Sequence, residues 1–429
     1  MDSSVKAKYI LDRLPEGGLF AGHQWRIAPD PFPLERKLVG ELENLGRILH
    51  AFYQAADLLY RHSLAGKNPG WVAKWLERGK PESVIKLQRD EAFKTALPRV
   101  IRPDILLTAE GCHITELDSV PGGIGLTGWL NESYREVIGG EKGMLDGFAG
   151  IFTKNGNAHL MVSEESETYR PEMEWLAHKL GPRFNVRDTD YTEFREGDSV
   201  YRFFELFDLP NIRASEELFE KARNKSIQIT APPKSHLEEK MLFALFWNHN
   251  LKEFWQRELG SKFMRKLTKL IPRTWTIDPT PMPPHAAIPG LNLTEWQQLA
   301  KLSQKKRQLI LKLSGFNEQA WGARSIRFGG DLSQANWAES VELAISEFEK
   351  SPWILQQYEK PRMVQHDWFD FDSGTLVSMK GRVRLCPYYF VHGDANSINL
   401  GGVLATICPA DKKIIHGMSD AILAPCTCK

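Results

Sequence analysis

The chain has 429 residues, of which 42% are hydrophobic, 25% charged and 10% aromatic, a globular composition that excludes disordered, fibrous and disulfide-dense classes. Lys and Arg total 55 against 54 Asp and Glu, a formal +1, so no net field draws the whole chain to nucleic acid or an anionic membrane, and any anion site must be local. The opening MDSSVKAKYILDRLPEGG lacks an apolar leader core and no apolar run approaches the ~20 residues that span a bilayer, which predicts a soluble, cytoplasmic protein.

Residues 36–62 carry Leu38, Leu42, Leu45, Ile48, Leu49, Phe52 and Leu58 at helical spacing, predicting an amphipathic helix. From 101 to 121 an apolar run, a turn at Glu110-Gly111 and an alternating segment ending in acids predict a β-hairpin. The run Gly123-Ile124-Gly125-Leu126-Thr127-Gly128 matches G-x-G-x-x-G. Gly139, Gly140 and Gly143 interrupt where the second strand of a dinucleotide fold should follow, so a close-packed loop is expected there.

Residues 158–209 alternate strand, helix and strand, predicting a small parallel αβ unit. Pro232-Pro233 read as a linker and 236–270 as helical, with Lys262, Arg265, Lys266 and Lys269 on a solvated face. Six prolines between 272 and 296 predict an irregular connection with neither a regular helix nor a central strand. A strand at 308–313, a loop at 314–330, a helix at 336–350 and a strand at 353–358 follow, and several strands run from Arg382 with turns at 393–394, 401–402 and 411–412. Five cysteines argue for reduced thiols, and the terminal Cys426-x-Cys428 reads as a frayed tail.

Arg102 and Asp104 stand two apart on one predicted strand, and Glu116 and Asp118 two apart on the next, so each pair shares a face. Three carboxylates converging from a hairpin suit a hard divalent cation, with the arginine suited to a phosphate beside it. The same spacing also fits a surface ion pair between Arg102 and Asp104 with the other acids in water. Lys312 closes an apolar strand before a loop with glycines and Arg324, an arrangement open to phosphate or to plain solvation. The chain contains no Walker A loop, H-E-x-x-H, G-x-S-x-G, kinase H-R-D or C-x-x-C pattern.

Together, RPDILLTAEGCHITELDSVPGG and, about 200 residues on, ILKLSGFNEQAWGARS resemble the circularly permuted ATP-grasp ligases, a family that includes glutathionylspermidine synthetase and eukaryotic glutathione synthetase. The resemblance covers roughly 100–128 and 305–405. It implies an α/β (α+β) ATP-grasp fold, circularly permuted, with a small parallel αβ substrate unit. The expected domains are an N-terminal part of the ATP-grasp over 1–150, the αβ unit over 151–232 and the remainder with lid loop and nucleotide-binding strands over 233–429.

In that family an arginine and an aspartate on one strand, with a glutamate and an asparagine on the next, hold magnesium and ATP phosphates. The resemblance therefore implies Mg²⁺ at Asp104, Glu116 and Asp118. Phosphoryl charge would meet Arg102, Lys312 and Arg384, and ATP would meet Lys312, Gly315, Gly322, Gln356, Gln357 and Glu359, with WILQQYEKP similar to the adenine hinge strand. The implied activity is amide formation between a carboxylate and an amine (amino acid, short peptide or polyamine) through an acyl phosphate, without nucleic acid or membrane partners. Two departures stand out: Asp118 replaces the asparagine, and the lid loop has fewer glycines. They leave a catalytically inactive nucleotide-binding protein on the same fold as a second expectation, and a dinucleotide-dependent oxidoreductase using 123–128 as a third.

Overall fold

The computed structural model describes residues 2–429 apart from 22–24, 282, 284–285, 321–323, 394–396, 413–414 and 416–418. The chain divides into a first unit (1–50, 90–233 and 361–429) and a second (51–89 and 234–360). Helix Arg36–Leu64 appears where its apolar spacing predicts and belongs to both. No helix among the described residues is long and apolar enough to cross a membrane.

Among the described residues the first unit holds an eight-stranded sheet. Its main path runs from Arg26–Ile27 through Ile422–Cys428, Ser397–Pro409, Thr375–His392 and Val100–Leu107 to Cys112–Asp118; Met363–Asp370 pairs with Thr375–His392, and Phe32–Leu34 with Ile422–Cys428. A second sheet is wholly parallel, ordered Phe184–Arg187, Ala158–Val162, Ser199–Phe203 and Gln228–Thr230, as the strand–helix alternation of 158–209 predicts. Its two inner strands are buried throughout, which is why they read as near-continuous apolar runs. Phe148, on helix Gly143–Gly150, meets Tyr201 of the parallel sheet at 5.1 Å between ring centroids and Phe390 of the large sheet at 6.4 Å, so one core serves both.

The second unit is built on an antiparallel sheet ordered Arg327–Phe328, Leu309–Leu313, Trp353–Gln357 and Thr274–Thr276. Helix Gln334–Ser346 covers it with Trp337, Val341 and Ala344, all fully buried against Leu311, Trp353 and Leu355. Among the described residues, the proline-rich segment contributes to the sheet only a three-residue edge strand, consistent with its exclusion from the sheet interior. Helices Met241–Trp247 and Lys252–Leu270 follow the predicted helical stretch, the second interrupted at Gly260 (φ 67°).

Three local expectations are corrected. The chain end is not frayed: Ile422–Cys428 is an inner strand of the large sheet and Cys426 is 1% exposed, because pairing with distant residues 26–27 and 32–34 orders it. The glycine run is not a loop: Gly123 takes φ 86° and starts helix Ile124–Ser133, whose Gly125 and Gly128 allow close approach to Glu172 and Trp175. Gly401-Gly402 is no turn but lies within Ser397–Pro409, where a Cβ on Gly401 would meet the Phe390 ring at 2.5 Å.

Candidate functional site

In the hairpin Arg102 lies directly across from Asp118 and Asp104 across from Glu116, with a register shift between Asp104 and Ile105. Arg384 joins from the adjacent strand Thr375–His392, opposite Leu106. The Arg102 Nη2 is 3.0 Å from Asp118 Oδ2 and 3.3 Å from Asp104 Oδ1, and Arg384 Nη1 is 3.0 Å from Asp104 Oδ2. Cys386 Sγ donates to Asp104 Oδ1 at 3.4 Å, and the Val120 N–H donates to Asp118 Oδ1 at 2.9 Å.

The ion pair between Arg102 and Asp104 therefore exists, but buried and shared rather than on the surface: Asp104 is 5% exposed. Burial alone would lower the pKa of Arg102 and Arg384, yet the neighbouring aspartates outweigh it and hold both firmly charged. Burial raises Asp118 against the pull of Arg102, and burial with Asp104 beside it pushes the Cys386 thiol up to about 11. The Nε atoms of both arginines are buried without a hydrogen-bond partner. Among the described residues no group of three or more His, Cys, Asp or Glu is arranged to hold a metal ion.

The glycine helix is capped from within the chain by a carboxyl group. Glu172, fully buried on helix Arg170–Leu180, accepts the N–H of Gly123 at 2.7 Å and of Leu126 at 3.1 Å. A helix N-terminus favours an anion, but burial dominates and lifts this carboxyl to about 7. The strand entering the run, Cys112–Asp118, is paired antiparallel, unlike the parallel strand of a dinucleotide fold, and Glu172 already holds the N–H groups a pyrophosphate would use.

In the second unit Lys312 is 3% exposed, which removes the solvated alternative, and its Nζ donates to Gln356 Oε1 at 3.0 Å. Gln356 Nε2 in turn donates to Thr274 Oγ1 at 3.2 Å. Gln357 is exposed and Glu359 half-buried, beside Tyr358, whose ring lies 4.3 Å from that of Phe328. Gly315 fits beneath Glu239, and Gly322 lies outside the described residues.

The near-zero total charge is a sum of opposites. The second unit has 25 Lys and Arg against 16 Asp and Glu, a formal +9, and the first has 30 against 38, a formal −8. Sequence reasoning also missed the buried acids Glu172, Asp57 and Glu239. Asp57 shares a helical stripe with buried Tyr53 and Tyr60, and a polar residue at core spacing was the available signal.

No family model matches the chain, and no curated protein matches it. Among solved structures, a glutathione synthetase-like effector from Globodera pallida in its apo form matches over 100% of this chain and 98% of its own, with 12% identity and a TM-score of 0.54. A protein assigned as a gamma-glutamylcysteine synthetase from Methylobacillus flagellatus KT matches over 91% of this chain and 89% of its own, at 12% identity; its TM-score of 0.40 is too low to carry an argument. Along its whole length the chain thus shares the mixed α/β fold of a glutathione synthetase-like protein.

Proposed function

We propose that the chain is an ATP- and Mg²⁺-dependent carboxylate–amine ligase with a circularly permuted ATP-grasp fold, acting on an amino acid, short peptide or polyamine. The observation that carries this reading is the ion-paired cluster of buried Asp104 with half-buried Arg102, Asp118 and Arg384 on three adjoining strands, within a fold shared with a glutathione synthetase-like protein.

Asp104, Glu116 and Asp118 carry the hard oxygens magnesium takes, but they are not arranged around a common point and the oxygens of Asp104 and Asp118 face arginine, thiol and backbone N–H groups, so the cation requires the arginines to turn to phosphate first. When bound there, the cation would neutralise phosphate charge. Arg102 and Arg384 can then exchange their carboxylate partners for anionic oxygens of the phosphoryl group and of the acid substrate. Lys312 and Gln356 in the basic second unit would serve the phosphates and the base. The acid takes the γ-phosphoryl group, the amine displaces phosphate from the acyl phosphate, and ADP and phosphate leave.

A second reading, nucleotide binding without turnover, draws on the same contacts, because the carboxylates are already neutralised by arginines. Thermal melts with Mg²⁺ and a non-hydrolysable ATP analogue address binding: at ~100 times Kd the ligand adds about 2.7 kcal/mol. A Mg²⁺-dependent rise lost in Asp104→Ala, with ADP release on supplying pools of acids and amines, supports the ligase. A rise without ADP release supports the second reading, and no rise with ATP rejects both.

A further inference from the structure

The second unit holds buried charge for which the ligase reading has no use. Lys80, its side chain fully buried, pairs with Glu239 at 2.8 Å. The other oxygen of Glu239 accepts the hydroxyl of Ser314, the first residue after the strand that carries Lys312. Ser314 also accepts the Met241 N–H on its Oγ at 2.9 Å and the Lys240 N–H on its carbonyl at 2.8 Å. Next to it, a Cβ on Gly315 would stand 3.0 Å from both the Glu238 carbonyl and the Glu239 carboxyl carbon, so the chain is seated against this segment without slack.

The neighbours of Lys80 close the same corner. Arg78 pairs with Glu349 at 3.1 Å and lies over the Phe348 ring at 4.2 Å. Gly79, at φ 73°, abuts the Lys350 carbonyl so closely that a Cβ could not be accommodated. Phe316 is a non-glycine residue at φ 44°, a conformation that surrounding contacts must hold, and Lys80 Nζ is 5.9 Å from its ring centroid. Behind Glu239, His236 bonds Asp57 at 3.0 Å on helix Arg36–Leu64, and Asp57 also takes Lys234 at 2.8 Å.

We propose that the Lys80–Glu239 ion pair is a latch that seats segment Ser314–Ala320 and thereby positions the end of the strand bearing Lys312. Both residues are positioning residues. Losing either one leaves a buried charge unpaired, which destabilises the seat strongly. The consequence for nucleotide affinity rests on the proposed function; the latch itself does not.

Hydrogen exchange on the full chain without nucleotide tests it, using Glu239→Gln and the double variant Lys80→Met with Glu239→Met, which strands no buried charge. The expected result in both is exchange at least ~10-fold faster at the amides of Lys240, Met241 and 314–320, with 309–313 and 353–357 unchanged. Unchanged protection of 240–241 and 314–320 in the double variant overturns the latch, as does loss spread evenly over the second unit in both variants. If the wild type binds the ATP analogue with Mg²⁺, the double variant should bind at least ~10-fold more weakly. If the wild type binds no nucleotide, the proposed function fails while the exchange rates still decide the latch.

Discussion

Arg384 reaches Asp104 with Nη1 3.0 Å from Oδ2, although 280 residues of chain separate them. The contact exists because strand Thr375–His392 lies beside Val100–Leu107, and it joins a residue near the end of the chain to the predicted hairpin. Asp104 thereby serves two guanidinium groups at once.

Asp104→Asn removes from both half-buried arginines a carboxylate that is itself buried. The expected loss is about 3 kcal/mol of unfolding free energy. Urea denaturation of the variant beside wild type measures it, and a midpoint unchanged in the variant would contradict the buried network.

Glu172 gives the first unit a pH dependence of uncommon sign. Burial holds its folded pKa at about 7, above the ordinary 4.5, so between these values the folded chain holds a proton that the unfolded chain has released. Its contribution is fully present below pH 4.5 and disappears as pH rises through 7, a change of about 3 kcal/mol. Glu172→Gln keeps a neutral acceptor at the helix N-terminus, and denaturation at pH 5 and pH 8 should show the wild-type difference reduced in that variant.

His236 acts in the opposite sense in the second unit. Burial lowers it from 6.5 to about 4 despite the Asp57 hydrogen bond, so the unfolded chain binds the extra proton in that window. Stability from this group is present above pH 6.5 and falls as pH drops towards 4, by about 3 kcal/mol. Denaturation of His236→Gln between pH 4 and 7 should give a shallower acid slope; an identical slope would remove His236 as its source.

The thiols report on the strand at the chain end. Cys428 is exposed and Cys112 half-buried, whereas Cys386, Cys408 and Cys426 are buried with raised pKa. A soluble disulfide reagent should modify Cys428 first and leave those three until denaturant is added. Prompt modification of Cys426 would mean that Ile422–Cys428 is not paired.

Local pattern was informative wherever neighbours in sequence are also neighbours in space. The i, i+2 spacing of Arg102, Asp104, Glu116 and Asp118 anticipated a shared strand face, and alternation over 158–209 anticipated the parallel sheet. Long-range contacts escaped it. The glycine run is helical because Glu172, 49 residues on, accepts the Gly123 N–H, and nothing in 123–128 announces that acid. Lys80 and Glu239 look like ordinary surface charges until the fold buries them together.

The pairing of Arg26 with Ile422 closes a loop of about 400 residues. Among the described residues, 26–27 and 32–34 find strand partners only in 422–428, so the edge of the large sheet stays open until residues 422–428 are available. Such non-local registration makes folding slow and leaves hydrogen-bonding edges exposed meanwhile. During biosynthesis this protein is thus a candidate client for chaperones, and its yield on refolding should fall steeply with concentration.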